Sequence, residues 1–347
     1  MLDPPEKILI IRLSSIGDIL LTSPFVRQVR KQFPDARIDY LIKEQFRDLM
    51  RFNPHISHLY ALTVSNHDAE KKLKKELKQA GYQIVFDLHN NLRSNFFKRG
   101  INAASLRSIN KNKLRQQLLV FFKINCYRRI QPIPERYLKV AEKYHVQDDK
   151  QGLEIFWQTD HEKTAAKKIR QAGMPSSVQY VCLAPGAAHH TKRWPVDYFA
   201  TLSENIIRQG LKIALLGGED DKKWGRVLAK KAKIFDLTGK LSLLETAVIL
   251  SRARAAVTND SGLMHMATAV NIPVVAIFGS TVREFGFFPY RGKSMVMENK
   301  QLSCRPCTHI GRKSCPKKHF KCMIEIKSDD VYQALNQLIL AQNQIWK

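Results

Sequence analysis

Acidic residues are scarce in this chain. Its 347 residues include 31 Asp and Glu but 57 Lys and Arg, which gives a net charge of +26 and an isoelectric point near 9.9. An excess of this size implies an acidic partner, which is either a nucleic acid, an anionic membrane surface or a phosphorylated substrate. The charge alone does not choose among these three classes.

The signals of several other protein classes are missing too. No apolar run approaches the length of a transmembrane helix, and the opening M-L-D-P-P-E-K has neither the basic nor the apolar region of a signal peptide. No helix-turn-helix, RNP or zinc-finger signature supports nucleic-acid binding. We therefore expect a cytoplasmic, soluble protein without a nucleic-acid partner, and leave open a peripheral contact with an anionic membrane through basic residues.

The length of the chain is too great for one ordinary core, and 44% hydrophobic residues argue against disorder. Apolar strand patterns alternate with helical patterns throughout, which predicts an α/β fold with parallel sheets. A polar stretch near residues 150–160 separates two such cycles. We expect two domains, residues 1–155 and 156–347.

The stretch Ala255–Thr281 predicts a strand, a turn, a helix and a second strand. Turn and helix-cap residues occupy 259–262, apolar residues then recur at helical spacing, and Val274–Phe278 is a fully apolar strand after Pro273. In such a βαβ unit the ligand lies off the carboxyl ends of the strands, and free N–H groups at a helix start attract phosphate. Plain capping of a structural helix is the alternative at this point.

A similar arrangement opens the chain. Lys7–Leu13 is a buried-type strand, followed by Ser14, Ser15, Gly17 and Asp18 and by a helix predicted to reach Phe33. The loop is a typical site in a doubly wound sheet, but no G-x-G-x-x-G dinucleotide motif is present. Asp18 is either a functional acid or an acid in the first helical turn that the helix dipole favours.

Basic residues are concentrated between Arg93 and Lys139, with 12 Lys or Arg and a single acid, Glu135. A predicted helix over Lys113–Ile124 mixes this charge with apolar residues. A charge run usually marks a solvated face, but an imbalance this large favours a surface for an anionic partner, with Arg93 as an anion clamp.

Four of the six cysteines lie close together near the C-terminus: Cys304, Cys307, Cys315 and Cys322. With His309 and His319 nearby, these residue types suit zinc, but their spacing matches no standard zinc ribbon or finger. We expect reduced structural thiols and no bound metal.

Four motifs occur in order along the chain: R-L-S-S-I-G-D-I-L-L-T-S-P at 12–24, K-R-W-P at 192–195, L-G-G-E at 216–219 and T-N-D-S-G-L-M-H at 258–265. Together they resemble bacterial ADP-heptose:lipopolysaccharide heptosyltransferases, glycosyltransferase family 9. The cysteine stretch is most similar to that of the heptosyltransferase II branch. The resemblance implies a GT-B fold, in which two Rossmann-like domains face each other across a cleft, the first holding the acceptor and the second the nucleotide-sugar.

The resemblance also implies a reaction: metal-independent, inverting transfer of heptose from ADP-heptose to the phosphorylated inner core of lipopolysaccharide, without any cofactor, at or near the inner membrane. Asp18 matches the general base, Lys192 the lysine that neutralises the donor phosphates, and Glu219 the acid near the ribose. The other implied donor-binding residues are Thr191, Asp260, Ser261, Gly262, Leu263 and His265. For the acceptor, the basic run suggests Arg93, Arg107 and Arg128.

Two alternatives stay open. The first is another family 9 transfer, including that of heptosyltransferase I or of a different nucleotide-sugar. The second is a basic Rossmann-like protein that binds nucleic acid, which would explain the charge but not the D-S-G-L-M-H helix start.

Overall fold

The computed structural model describes residues 4–63, 66–175 and 178–344. The chain forms two compact units, each built on a parallel sheet. The N-terminal unit contains residues 1–111 and 133–156, and the C-terminal unit contains residues 112–132 and 157–347. The segment 112–132 lies inside the N-terminal domain predicted from the sequence but packs with the C-terminal unit.

The sheet of the N-terminal unit has five parallel strands in the order β3-β2-β1-β4-β5. These strands are β1 (Lys7–Ile11), β2 (Arg37–Lys43), β3 (His58–Leu62), β4 (Ile84–Asp87) and β5 (Ser105–Ser108). Strand β1 is central because its last four residues are apolar and fully buried, as a strand covered on both faces requires. Ile11 pairs with Leu41 and Asp87, so β1 and β4 end at the same level, whereas β2 continues two residues further, to Lys43.

The helices before residue 156 are α1 (Ile16–Leu20), α2 (Ser23–Gln32), α3 (Asp48–Arg51), α4 (His67–Gln79), α5 (Leu92–Lys98), α6 (Lys113–Gln117) and α7 (Ile133–Leu138). Shorter 3₁₀ segments cover Glu44–Phe46 and Lys139–Tyr144, and a π-helical turn covers Leu118–Phe122. Helix α6 and the π-helical turn belong to the C-terminal unit.

The single helix predicted from Asp18 to Phe33 is wrong, because the chain forms α1 and α2 with a break at Leu21 and Thr22. Pro24 causes the break: it lacks an N–H group and its ring would collide with the preceding turn, so it is tolerated only in the first turn of α2. The break leaves Asp18 in the first turn of a helix of five residues.

The continuous α-helix predicted over Lys113–Ile124 is also wrong, since α6 ends at Gln117 and the π-helical turn follows. Strands β5 and β11 (Ser294–Glu298) were not predicted. Both are edge strands of partial burial, and the sequence of β5, S-L-R-S, lacks the apolar run of a central strand.

The sheet of the C-terminal unit has six parallel strands in the order β11-β10-β9-β6-β7-β8. The remaining strands are β6 (Tyr180–Ala184), β7 (Lys212–Leu215), β8 (Phe235–Asp236), β9 (Ala255–Asn259) and β10 (Val274–Phe278). The chain builds β6, β7 and β8 outward and then crosses over to begin β9 on the other side of β6. The point between β6 and β9 is therefore a topological switch point, where doubly wound sheets bind ligands.

The helices of this unit are α8 (Thr159–Gln171), α9 (Val196–Arg208), α10 (Lys222–Lys231), α11 (Leu243–Ser251), α12 (Gly262–Ala269), α13 (Lys321–Ile324) and α14 (Ser328–Gln344), with 3₁₀ turns at His190–Lys192, Glu219–Asp221 and Arg283–Phe285. The predicted βαβ unit over Ala255–Thr281 is confirmed as β9, α12 and β10. Helix α11 begins with a capping box, in which Ser242 and Glu245 form reciprocal hydrogen bonds.

The core of the C-terminal unit lies on both faces of β6, β9 and β10. Trp194 is buried in it, so this side chain packs in the core. Helix α14 covers β9, β10 and β11 and packs on α9. The two parallel sheets with covering helices confirm the expected α/β class with two Rossmann-like domains, while none of the described helices is long and apolar enough to cross a bilayer.

Candidate active site

In the N-terminal unit, Asp18 is held from two sides. A terminal nitrogen of Arg12, Nη2, lies 2.5 Å from Asp18 Oδ1, and Ser15 donates to Oδ2 from its hydroxyl at 2.9 Å and its backbone N–H at 3.2 Å. The Asp18 side chain keeps about a quarter of its surface exposed, at 24%. The carboxylate is thus held in one orientation and is still accessible to solvent.

Arg12 directly follows β1 and is buried. It donates to the carbonyl oxygens of Ser14 and Leu88, and its guanidinium lies over the Tyr137 ring at 5.8 Å. Burial lowers the pKa of Arg12, but the Asp18 carboxylate, together with Tyr137 and Tyr40, outweighs burial and the pKa is raised overall. Sequence reasoning did not select Arg12, although an arginine directly after an apolar strand was the available signal.

Asp87, which ends β4, is a second acid at this edge of the sheet. It is fully buried and accepts from the backbone N–H groups of His89 and Asn90, from the Ser94 hydroxyl and from Lys98 Nζ at 2.8 Å. These four donors make Asp87 the cap of the loop that leads into α5. Asp18 is therefore the more accessible acid here.

His89 follows in the same loop and is only 9% exposed. Burial, together with the nearby charges of Arg12 and Lys111, lowers its pKa to about 4. The ring is therefore neutral at pH 7. Its Nδ1 atom is buried without a hydrogen-bond partner among the described residues, and sequence reasoning did not select it.

In the C-terminal unit, four strand ends meet at one edge of the sheet. Ala184 pairs with Thr258, Leu183 with Leu215 and Ile277 with Asn259, so β6, β7, β9 and β10 end together. Asn259, which ends β9, binds both ends of the loop after β6: it donates to the Pro185 carbonyl at 2.7 Å and accepts from the backbone N–H of Trp194 at 3.0 Å. Most residues that the sequence suggested for the donor follow these strand ends.

Lys192 and Asp260 form the centre of this edge. Lys192 Nζ lies 2.7 Å from Asp260 Oδ2, and the Thr281 hydroxyl donates to the same oxygen at 2.7 Å. Asp260 is buried, and the lysine side chain is 16% exposed. The carboxylate therefore fixes an ammonium group that can still reach solvent.

Thr191 is buried beside this pair. Its hydroxyl donates to Ser280 Oγ at 3.0 Å and accepts from the backbone N–H of Arg312 at 2.8 Å. Gly279 allows the loop after β10 to come this close, because a Cβ there would lie 2.8 Å from the Thr191 carbonyl oxygen. In this structure the Thr191 hydroxyl holds two loops together.

Helix α12 begins directly after Asp260. Ser261 is its N-cap but its side chain caps no backbone group, and the buried hydroxyl has no hydrogen-bond partner among the described residues. Gly262 and Leu263 contribute the first backbone N–H groups of the helix, and His265 is buried one turn on. A fixed ammonium, a buried hydroxyl and a helix start together suit a phosphate ligand.

Glu219 follows β7 at the same edge, where its exposed carboxylate pairs with Lys222 Nζ at 2.5 Å. The structure thus brings Thr191, Lys192, Glu219 and the residues of the α12 start to one side of a single sheet.

Arg305 is a supporting residue that sequence reasoning missed. Its buried guanidinium donates to the carbonyls of Gly279, Thr281 and Asn299, and lies 2.9 Å from Glu298 Oε2. Arg305 thereby fixes the loop after β10, whose hydroxyls bind Thr191 and Asp260. No local pattern in the sequence could have indicated these contacts.

The suggested acceptor arginines do not all lie in one unit. Arg93 in α5 and the exposed Arg107 in β5 belong to the N-terminal unit, whereas the exposed Arg128 belongs to the C-terminal unit.

The cysteines near the C-terminus are all free thiols. Cys304 Sγ lies 3.7 Å from His319 Nε2, and burial raises the pKa of Cys307 and raises that of Cys322 to about 12. Among the described residues no group of three His, Cys, Asp or Glu side chains has the arrangement of a metal site. The absence of a bound metal stays a prediction.

The model of glycosyltransferase family 9 (heptosyltransferase) matches residues 71–319, which is well over half of the chain. The chain belongs to glycosyltransferase family 9. The family predicted from the four motifs is thereby confirmed, and the protein is a glycosyltransferase.

Relatives of this family 9 chain include lipopolysaccharide heptosyltransferase 2 of Escherichia coli K12, at 26% identity over 97% of this chain and 99% of the relative. Lipopolysaccharide heptosyltransferase 1 of Pseudomonas aeruginosa PAO1 is 24% identical over 89% of this chain and 87% of the relative. The solved ADP-heptose lipopolysaccharide heptosyltransferase II of E. coli has the same fold, with a TM-score of 0.75 at 22% identity over 97% of this chain and 99% of that one. Types 1 and 2 match at similar identity.

Proposed function

We propose that this family 9 enzyme transfers heptose from ADP-heptose to the inner core of lipopolysaccharide, with inversion at the anomeric carbon. The observation that carries the proposal is the Lys192–Asp260 pair at the start of α12, at the switch point of the second sheet. The relatives support it, because they are named as lipopolysaccharide heptosyltransferases.

The C-terminal unit binds the donor in this proposal. The pyrophosphate accepts hydrogen bonds from Lys192 Nζ, from the Ser261 hydroxyl and from the N–H groups of Gly262 and Leu263. Asp260 keeps the ammonium in place, and Thr191 contributes through its hydroxyl and by fixing the loop after β10. Glu219 accepts from the ribose hydroxyls, and His265 contacts the sugar or its phosphate.

Asp18 in the N-terminal unit acts as the general base. It takes the proton from the acceptor hydroxyl while the hydroxyl oxygen forms a bond to the anomeric carbon and the bond from that carbon to ADP breaks. ADP departs as a phosphate anion that Lys192 neutralises, so one carboxylate is sufficient. Arg12 and Ser15 orient Asp18, and the guanidinium stays beside the carboxyl group throughout.

The acceptor is a phosphorylated glycolipid, and basic side chains recognise it. Arg93 and Arg107 bind its phosphates from the N-terminal unit, and Arg128 adds positive charge from the C-terminal unit. The enzyme works in the cytoplasm and contacts the anionic inner membrane peripherally. Its charge serves this substrate rather than nucleic acid.

Turnover of ADP-heptose with defined inner-core acceptors tests the proposal. We expect ADP release together with an acceptor heavier by one heptose, and the acceptor that reacts, with no heptose or with one, distinguishes the type 1 from the type 2 reaction. A thermal-shift series tests the nucleic-acid alternative, because ADP should stabilise the protein at physiological salt whereas oligonucleotides should act only at low salt. The proposal fails if no acceptor gains heptose although ADP-heptose binds.

A further inference from the structure

The segment 112–132 exposes an unusual set of large apolar side chains. Five of them, each between 51% and 69% exposed, occur within 17 residues: Leu114, Phe121, Phe122, Ile124 and Ile130. Scattered exposed apolar residues are normal on a soluble protein, but a dense set that includes two adjacent phenylalanines indicates a surface for binding.

Other residues of the same segment fix it to the rest of the C-terminal unit. Leu119 and Val120 are buried against Phe285. Partly buried apolar side chains pack around these three residues and enlarge the cluster. Lys123 Nζ donates to the carbonyls of Val120 at 2.9 Å and Pro306 at 2.6 Å. The exposed apolar side chains therefore project from an anchored base.

The segment also carries charge of only one sign. Its sequence contains five basic residues and no acid, and four exposed cations lie beside the apolar side chains in the sequence: Lys113, Arg115, Arg128 and Arg129. Exposed apolar side chains interspersed with Lys and Arg are typical of elements that lie in a membrane interface, where apolar groups enter the acyl boundary and cations remain at the lipid phosphates.

We propose that segment 112–132 is a membrane-docking element that inserts Phe121 and Phe122 into the interface of an anionic bilayer. The combination of features favours lipid over other partners: a nucleic acid would use the cations but leave the apolar side chains in water, and a second copy of this basic segment would be repelled. The inference locates the membrane contact on the C-terminal unit, and it holds or fails independently of the reaction proposed above.

Sedimentation with lipid vesicles tests this element without any substrate. The full-length protein should bind vesicles of phosphatidylglycerol and phosphatidylcholine at least tenfold more strongly than vesicles of phosphatidylcholine alone. Replacement of both phenylalanines, Phe121→Ser with Phe122→Ser, leaves the net charge unchanged and should reduce binding at least tenfold. Removal of two positive charges, Lys113→Gln with Arg115→Gln, should also reduce binding at least tenfold.

Matched control variants distinguish binding by this element from nonspecific binding of the protein to vesicles. Leu340→Ser removes an exposed leucine of α14, and Lys230→Gln with Lys233→Gln removes two exposed charges, one in the last turn of α10 and one just after it. Both controls should bind vesicles as wild type does, and the unchanged thermal midpoint of each variant should exclude unfolding. Turnover of a water-soluble, delipidated acceptor by the double phenylalanine variant should also stay unchanged.

Two outcomes overturn the proposal. One is equal binding of wild-type protein to anionic and neutral vesicles, and the other is undiminished binding by the double phenylalanine variant. If the phenylalanine substitutions instead abolish dimers in analytical ultracentrifugation while vesicle binding is unaffected, the surface binds a second copy and the lipid assignment is wrong.

Discussion

Lys192 Nζ lies 2.7 Å from Asp260 Oδ2 at the N-terminus of α12, so the ammonium group is fixed at a helix start before any ligand arrives. Pre-orientation lowers the entropy that a flexible lysine loses when it binds a phosphate. In the proposed reaction this group binds the donor and neutralises the departing ADP.

Lys192→Ala should therefore weaken binding of both ADP and ADP-heptose. A charge-assisted contact to pyrophosphate contributes about 1.5–3 kcal/mol, which corresponds to a Kd raised roughly 10- to 100-fold. Isothermal titration calorimetry measures the Kd of each ligand. Lys230→Ala is the control, because it removes an exposed charge in the last turn of α10. An unchanged Kd would remove Lys192 from the donor site.

Arg305→Ala tests the support of the loop after β10. The substitution leaves Glu298 buried without its main partner and three carbonyls without their donor, so the free energy of unfolding should fall by about 3–5 kcal/mol. Urea unfolding measures the loss. Arg208→Ala, at an exposed pair with Glu204, should change stability little, and equal losses in the two variants would contradict the supporting role.

His89 predicts a pH dependence of stability. Above pH 6.5 the ring is neutral in folded and unfolded chains alike, whereas between pH 6.5 and about 4 only the unfolded chain takes up the proton. Stability should therefore fall as the pH drops through this window, by up to about 3 kcal/mol. His89→Gln should show a shallower loss between pH 6.5 and 4 in thermal unfolding, and parallel curves for the two proteins would show that His89 does not titrate in this way.

The acceptor surface is tested by reversing charge at Arg93 and Arg107. The double variant Arg93→Glu with Arg107→Glu should raise the acceptor KM roughly tenfold and flatten its dependence on salt, with the donor KM unchanged. Lys72→Glu with Lys75→Glu makes the same change of charge on exposed positions of α4 and should leave both constants near wild type. If only the donor KM moves, the two units have been assigned to the wrong substrates.

Much of the fold could be predicted because its signals are local. The run from Ala255 to Thr281 contains two apolar strands, cap residues and a helical repeat, each within a few residues of the next. The family motifs then identified Asp18 and Lys192 as candidate site residues.

What escaped prediction depends on contacts between distant residues. Arg12 is important because it reaches both Leu88 and Asp18, and Arg305 because it binds carbonyls up to 26 positions away. The association of segment 112–132 with the C-terminal unit follows from Leu119 packing on Phe285, which no periodicity reveals. Pro24 is the exception, since its local effect on the helix was available and underestimated.

The base assignment is the centre of this account, and the turnover number of Asp18→Asn tests it most directly. The variant keeps the shape of the side chain and removes the group that takes the proton, so kcat should fall about 10²–10⁴-fold. The Kd of ADP-heptose should stay near wild type, because donor binding is assigned to the other unit, and Asp48→Asn in α3 should leave kcat unchanged. A near-normal kcat for Asp18→Asn would contradict the account and leave Asp18 as an acid that stabilises the start of α1.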